Sequence, residues 1–221
     1  MAALCRVQTC TKPRTSRSLY CPHHASRHRR HGDPLGRAIS TAELREARET
    51  MRGVMEKYAE GHAMKAAWKI MALLFEHARQ KRRSGRRKSV GWGYFARAIY
   101  RGLTVDEALE IIGAVYILGW ERPNTFFTDH RLNVHLGYEL QRSKGLPCRE
   151  SSVKGVKKNR YPNVTARQKR EVGDVVRQYL GKFLANVVLT RERDRKEARG
   201  LQKAIGEPLD RLPDGGRHPN V

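Results

Sequence analysis

The feature that most constrains the fold is a set of three cysteines and one histidine with the spacing Cys5-x4-Cys10-x10-Cys21-x2-His24. The two short gaps fit a tetrahedral site in which each of two knuckles supplies two ligands. Residues 1–30 contain few large apolar side chains, so burial alone cannot fold them. Zinc binding contributes roughly 10–16 kcal/mol in small finger peptides, enough to replace a missing core. The sequence therefore predicts a small N-terminal module folded around a structural Zn²⁺.

Two alternatives concern the ligands. His23 can replace His24 as the fourth ligand, but we prefer His24 because a two-residue gap is the commoner knuckle geometry. The other reading is that the four residues cluster by chance. Cys148 is distant and isolated, and we interpret it as a free thiol.

No apolar run reaches the ~20 residues of a membrane span, and the N-terminus lacks the apolar core of a signal peptide. We therefore expect a reducing cytoplasm, where cysteines bind metals rather than form disulfides.

The charge of the chain is concentrated in three blocks. The formal net charge is +23, from 45 Lys+Arg against 22 Asp+Glu. Residues 1–40 hold 8 basic and 1 acidic residue, residues 81–101 hold 8 and none, and residues 151–200 hold 14 and 5. Basic blocks between nearly neutral apolar segments are typical of binding surfaces on a folded scaffold. Nucleic acid is the first candidate partner, and an acidic membrane surface or an acidic protein is the alternative.

Hydrophobic periodicity predicts a mostly α fold, in which the zinc-binding module precedes a multi-helix domain. Ser40/Glu43, Thr104/Glu107 and Thr165/Gln168 are spaced as capping boxes, and Thr128 is a further candidate cap. The segment after Ser40 predicts one long helix, or two with a break near Gly61. The predicted units are a basic module at 1–39, a helical core domain at 40–148, a basic linker at 149–164, a long helix at 165–200 and a mobile tail at 201–221. No convincing strand pattern is present.

The predicted last helix carries a wide apolar stripe from Val172 to Val188. Such a stripe is used either for packing in the core or for a homodimer. The predicted helices at 105–119 and 128–143 also form a candidate helix-turn-helix. In that arrangement the second helix reads nucleic acid through Arg131, Asn133 and His135.

The N-terminal pattern resembles a short zinc-binding segment common in bacteriophage proteins. After the cysteines and His24 the chain reads RHRRHGDP, similar to the basic helix and R-H-G-D-P turn that end the family segment. The resemblance covers residues 5–34, and Ser18-Leu19-Tyr20 departs from it where a glycine is usual. In that family the segment often precedes an HNH endonuclease core or accompanies other DNA-handling domains. The resemblance therefore implies a bacteriophage or prophage origin and a nucleic-acid task.

An HNH nuclease needs a metal site with a histidine general base after a strand. Only Asp129, His130, Asn133 and His135 offer similar residues, and they lie within seven residues on one predicted helix. The usual separation with strands between is missing, so a nuclease is the alternative rather than the preferred hypothesis. No phosphate-binding P-loop is present.

Three basic surfaces are predicted to contact nucleic acid. The first lies in the module, the second is the run Lys81–Lys88 beside Trp92, Tyr94 and Phe95, and the third spans the linker and the start of the last helix. Basic residues beside aromatic rings suit a single strand, although the rings equally suit a core. The candidate contact residues are Arg14, Arg17, Arg27, Arg29, Arg30, Arg82, Arg83, Arg86, Arg87, Lys88, Lys157, Lys158, Arg160, Arg167, Lys169 and Arg170.

The sequence thus predicts a non-enzymatic, zinc-stabilised nucleic-acid-binding protein. The setting we expect is transcription or replication control in a bacteriophage, with DNA favoured over RNA as the partner. A further alternative is an adaptor that docks onto host RNA polymerase or the ribosome.

Overall fold

The protein is described by a computed structural model that covers residues 3–37, 39–83, 90–122, 129–145, 149–153, 156–160 and 164–206. For the strands and the last turns of the final helix only the backbone is described. This part of the chain is mostly α, as the periodicity predicts. Its elements are α1 (Pro22–His31), α2 (Thr41–Lys57), α3 (His62–Arg83), α4 (Val90–Tyr100), α5 (Val105–Glu121), α6 (Asp129–Arg142), β1 (Arg149–Val153), β2 (Val156–Arg160) and α7 (Ala166–Gly206).

Three helices begin at the predicted capping boxes. Ser40 Oγ accepts the Glu43 N–H at 3.2 Å, and the Glu43 carboxylate accepts the Ser40 N–H at 2.8 Å. The same reciprocal bonds precede α5 and α7. Each box satisfies two of the N–H groups that a helix start leaves without a partner. The segment after Ser40 forms two helices with a break near Gly61, and Thr128 lies outside the described residues.

The core of the helical domain, residues 39–206, lies around α5. Almost every residue of α5 from Ala108 to Leu118 is buried. Most of the apolar stripe of α7 is buried in this same core, with Val172, Val176, Leu180 and Leu184 at 0 % exposure, whereas Tyr179 is 56 % exposed. The stripe therefore packs within the chain, which is the first of the two predicted alternatives. Within the described residues, no helix combines the length and the apolar character needed to cross a bilayer.

Two glycines let α6 and α7 approach until their backbones touch. A Cβ placed on Gly137 would lie 1.8 Å from the carbonyl oxygen of Lys169. A Cβ placed on Gly173 would lie 1.8 Å from the carbonyl oxygen of Asn133. Gly91 brings α4 to α7 in the same way, since its Cβ would lie 2.1 Å from the Gln168 carbonyl oxygen. Only a residue without a side chain fits at these crossings.

Two sequence expectations are corrected by the backbone of residues 149–206. The segment predicted as a linker contains a hairpin, in which β1 and β2 pair antiparallel from Arg149↔Arg160 to Val153↔Val156. The last helix continues to Gly206 rather than ending at 200. Residues 207–221, predicted as a tail, lie outside the described residues.

The helix-turn-helix prediction fails because α6 is an interior helix. It packs against α4, α5 and α7. Arg131 and His135 are each 1 % exposed, and Asn133 is 9 % exposed. Side chains enclosed by three helices cannot reach the edge of a base. These three residues therefore lie inside the fold and do not read nucleic acid.

Candidate metal centre and basic surfaces

A knuckle in the first 13 residues presents the first two cysteines. The Cys5 N–H donates to the Lys12 carbonyl at 3.0 Å, and an antiparallel bridge joins Leu4 to Pro13. Between them the Cys10 N–H donates to the Val7 carbonyl at 2.9 Å, which closes the turn. This fold of the backbone directs the Cys5 and Cys10 side chains toward the same point.

The other two ligand residues come from the start of α1. Cys21 is the N-cap residue, Pro22 follows at the first helical position, and His24 lies in the first turn. Proline suits this position because its missing N–H would have no helical partner. The N-terminal end of a helix dipole stabilises nearby negative charge.

The four side chains meet at distances that fit a metal ion. Their ligand atoms all lie within 4.8 Å of one another. His24 Nδ1 lies 3.4 Å from Cys5 Sγ and 3.4 Å from Cys21 Sγ, and Cys10 Sγ lies 3.8 Å from Cys21 Sγ. A tetrahedral ion with metal–sulfur bonds of ~2.3 Å and a metal–nitrogen bond of ~2.0 Å separates its ligands by about 3.5–3.8 Å. These residues can therefore bind a metal ion, with His24 rather than His23 as the nitrogen ligand.

Cys5, Cys10 and Cys21 are free thiols, and Cys5 and Cys21 are buried. Burial opposes ionisation of Cys5, but hydrogen bonds from the Cys21 and Val7 backbone outweigh it and lower the pKa of this thiol to about 6. For Cys10 the Lys12 backbone hydrogen bond favours ionisation, whereas burial and the neighbouring thiols oppose it and raise its pKa. Like charges at this spacing resist a second ionisation. A divalent cation among the thiols removes that resistance.

A metal ion would also supply what the packing of the module lacks. Among the described residues its buried apolar cluster consists of Cys5, Val7 and Cys21, with Cys10 and Tyr20 packed beside it. Three of these five residues are the cysteines themselves. Such a cluster buries too little apolar surface to offset the entropy of ordering the chain.

The His31–Pro34 turn, which closes the family-like segment, docks the module onto the helical domain. Gly32 ends α1 with φ +73°, and a Cβ there would lie 3.0 Å from the ring of His130. Next to it the ring of His31 stacks on that of His135, with 6.1 Å between centroids. The Asp33 carboxylate lies 3.9 Å from the guanidinium of the buried Arg131. The turn is therefore an interface element within the chain.

Lys169 completes this interface and corrects one predicted nucleic-acid contact. Its side chain is 4 % exposed, and its Nζ donates to the Arg30 carbonyl at 2.5 Å. The ammonium also lies 4.1 Å from the centroid of the Tyr138 ring. Burial lowers its pKa to about 8. Lys169 ties α7 to the end of α1, so it does not face a partner.

The charge of the module differs from that of the helical domain. Residues 1–32 contain no Asp or Glu, and none of their seven Lys and Arg residues forms an ion pair with any described residue. In the helical domain many basic side chains have acidic partners. Examples are Arg48 and Arg52 with Glu110, Lys57 with Asp194, Lys65 with Glu60, Arg177 with Asp129, and Arg191 and Arg195 with Glu121. The charge of the module is therefore not offset by any described acidic side chain.

The remaining predicted contact residues fall into three groups. Those that the structure places at the surface are Arg14, Arg17, Arg29, Arg30, Arg82, Arg83 and Arg167, with Arg27 and Arg170 half-buried. Lys157, Lys158 and Arg160 lie on β2, for which only the backbone is described. Arg86, Arg87 and Lys88 lie outside the described residues, as does Cys148, which is predicted to be a free thiol. The structure thus brings Arg27–Arg30 close to the start of α7, and it leaves Arg82 and Arg83 at the end of α3.

The residues considered for a nuclease do not converge. Asp129 pairs with Arg177 at 2.6 Å, and the Asn133 side chain donates to Asp174 at 2.7 Å. His130 Nδ1 lies 3.0 Å from the Arg170 guanidinium, while His135 is buried. In the part of the chain that the structure describes, the Cys5–His24 cluster is the one group of three or more potential ligands close enough to hold a metal.

The aromatic residues beside the second basic block divide between core and surface. Trp92 and Phe95 are 3 % and 0 % exposed, so these two rings belong to the core. Tyr100, to which no role is assigned from the sequence, is 55 % exposed. The helical period carried the missing signal, because Tyr100 lies three residues after Arg97, on the face opposite Phe95.

Comparison of the chain with protein-family models, curated proteins and solved structures returned no match.

Proposed function

We propose that this protein is a non-enzymatic, zinc-stabilised nucleic-acid-binding protein, with DNA favoured over RNA. The observation that carries the proposal is the charge of the N-terminal module: seven basic residues, no acidic residue before Asp33, and no described ion pair. Such uncompensated charge repels itself, and a polyanion relieves the repulsion. The resemblance of RHRRHGDP to the bacteriophage segment supports a bacteriophage setting in transcription or replication control.

Zinc is the metal we propose for the cluster. Three thiolates and one imidazole form a soft donor set that suits Zn²⁺, and hard cations such as Mg²⁺ prefer oxygen ligands. Four protein ligands close a tetrahedral shell, whereas catalytic sites keep an open position for water. The ion would therefore hold the knuckle against the start of α1 and keep Arg27–Arg30 in place.

The exposed side of α1 and the first turns of α7 form the contact surface in this proposal. Arg29 and Arg30 are exposed on the last turn of α1, and Arg167 is exposed on the first turn of α7. The bond from Lys169 to the Arg30 carbonyl joins these two helix ends. Arginine suits this use because its guanidinium contacts phosphate with two parallel hydrogen bonds.

The test is the dependence of affinity on salt. With six or more phosphates neutralised, the slope of log K against log salt for a DNA duplex should be about −5 or steeper. Neutralising Arg29 and Arg30 together to Gln should flatten this slope by about 2, because each lost phosphate contact removes about 0.9. Fluorescence anisotropy of a labelled duplex measures both.

A matched control removes the same charge elsewhere. Lys57→Gln with Lys65→Gln takes two positive charges from helical-domain side chains that are 58 % and 57 % exposed and already paired with acids. This control should leave the slope unchanged. A flat salt dependence of the parent protein refutes the proposal. A partner retained from lysate after complete nuclease digestion would favour the adaptor hypothesis instead.

A further inference from the structure

The outer face of α4 carries basic and aromatic side chains that the fold does not use. The inner face packs Trp92, Phe95 and Ile99 into the core. On the outer face the Tyr100 side chain is 55 % exposed. A Cβ at Gly93 on this face would meet nothing within 4 Å, so no described element covers it there. Exposing a large ring forgoes the stabilisation that burying it would provide.

Arginines hold the two outer rings. The Arg82 guanidinium lies 4.4 Å from the centroid of the Tyr100 ring, and the Arg97 guanidinium lies 5.6 Å from that of Tyr94. The first contact joins the end of α3 to α4, the second lies within α4, and both restrict the side chains before any partner arrives. Flat guanidinium and phenol groups are the surfaces on which unpaired bases stack.

The charge around these four residues is of one sign. Residues 77–105 contain nine Lys and Arg residues and no Asp or Glu. Neither Arg82 nor Arg97 forms an ion pair with a described residue. An acidic protein would satisfy the charge but leaves the exposed rings without a role. A single nucleic-acid strand satisfies both, with phosphates on the arginines and bases on the rings.

We propose that Arg82, Tyr94, Arg97 and Tyr100, here named the α4 platform, bind unpaired bases of a single nucleic-acid strand. This inference rests on the proposed function and adds to it the strand type and a second surface. A base pair in a duplex keeps its faces stacked on its neighbours, so the α4 platform discriminates against duplexes. Stacking on rings is tolerant of sequence, because every base has a flat face.

The experiment compares three labelled probes of equal length, namely an oligothymidylate, an abasic strand and a duplex, with the full-length Zn²⁺-loaded protein. Tyr100→Ala should weaken oligothymidylate binding about tenfold, which is within the range for loss of one base–ring stack. Tyr100→Phe should bind it as the parent does, because the ring remains. Binding of the abasic strand should be the same for all three proteins, since that strand has phosphates but no bases.

The abasic strand also shows whether each variant is folded, and Tyr94→Ala gives a second test on the same face. Parent-like binding of oligothymidylate by both alanine variants would overturn the inference. Equal affinity of the parent for the oligothymidylate and the abasic strand would do the same. If the parent binds the duplex but not the oligothymidylate, this inference fails and the proposed function stands. If it binds none of the probes, both fail.

Discussion

The close contact between α6 and α7 predicts that adding one methyl group, in Gly173→Ala, destabilises the protein. Gly173→Ala places a Cβ at 1.8 Å from the Asn133 carbonyl oxygen, 2.6 Å from its carbonyl carbon and 3.0 Å from its Cα. All three atoms are backbone, so no side chain can rotate away. A contact of this kind normally needs more than about 3 Å, and the two helices must separate to reach it.

The expected cost follows from what separation disrupts. Val172, Val176 and Leu180 surround Gly173 on α7 and are fully buried, so moving α7 outward loosens their packing. Overpacking of this kind costs about 1–3 kcal/mol and occasionally more. The methyl group also gains ~0.8–1 kcal/mol of helix propensity. Because the clash is with backbone, we take the upper end of that cost and subtract the gain in propensity. We therefore expect Gly173→Ala to lower the free energy of unfolding by about 2 kcal/mol, and Gly137→Ala to behave alike.

The chain supplies an internal control in Gly53. It lies within α2, is exposed, and a Cβ there would meet nothing within 4 Å. Gly53→Ala should therefore raise the free energy of unfolding by up to ~1 kcal/mol through propensity alone. Urea titration followed by circular dichroism at fixed Zn²⁺ concentration measures both changes as shifts of midpoint. The same chemical substitution should act with opposite sign at the two sites.

Equal effects of Gly173→Ala and Gly53→Ala would refute this reasoning. In that event the two helices would not touch through their backbones, and the close crossing would play no part in stability. A large change in the urea m-value would instead indicate an altered unfolded state or an intermediate.

Two further outcomes are expected. Removing the metal with a strong chelator should release one Zn²⁺ per chain, measured with a colorimetric indicator. It should also lower the Tm of the helical domain, because the folded module covers Lys169 and His135. A Tm insensitive to chelation would contradict the docking of the module on that domain. Raising the pH should stabilise the protein between about 8 and 10.4, because burial lowers the folded pKa of Lys169 to about 8 while the unfolded chain keeps its proton up to ~10.4. The free energy of unfolding should rise by up to about 3 kcal/mol over this pH range, and Lys169→Met should remove the rise. An unchanged pH profile in that variant would count against a buried ammonium at Lys169.

Local signals in the sequence predicted most helix starts and the ligand set. A capping box such as Ser40/Glu43 acts within one turn of chain, so its physics is complete in four residues. The ligand spacing is similarly local, because each knuckle brings two donors together over a few residues. The hairpin at 149–160 was missed because its polar, basic composition resembles a linker and its pairing depends on only a few residues.

The burial of α6 could not be predicted from its own residues. Arg131, Asn133 and His135 are polar side chains that ordinarily lie at a surface. They are enclosed because Gly137 and Gly173 let α7 cover them, and because the module docks its closing turn beside them. A polar residue type therefore predicts an exposed side chain only where no other helix or turn packs over that position.

By itself, the sequence determined the mostly helical class, the metal-ligand set and the basic character of the module, since these depend on residue type and short spacing. The tertiary structure decided which polar and aromatic residues are exposed. It moved Lys169, Trp92 and Phe95 into the interior and left Tyr100 outside. The physical reason is that exposure is a property of neighbours distant in the chain. The N-terminal module therefore presents its arginines only in the position that its contacts with α6 and α7 provide.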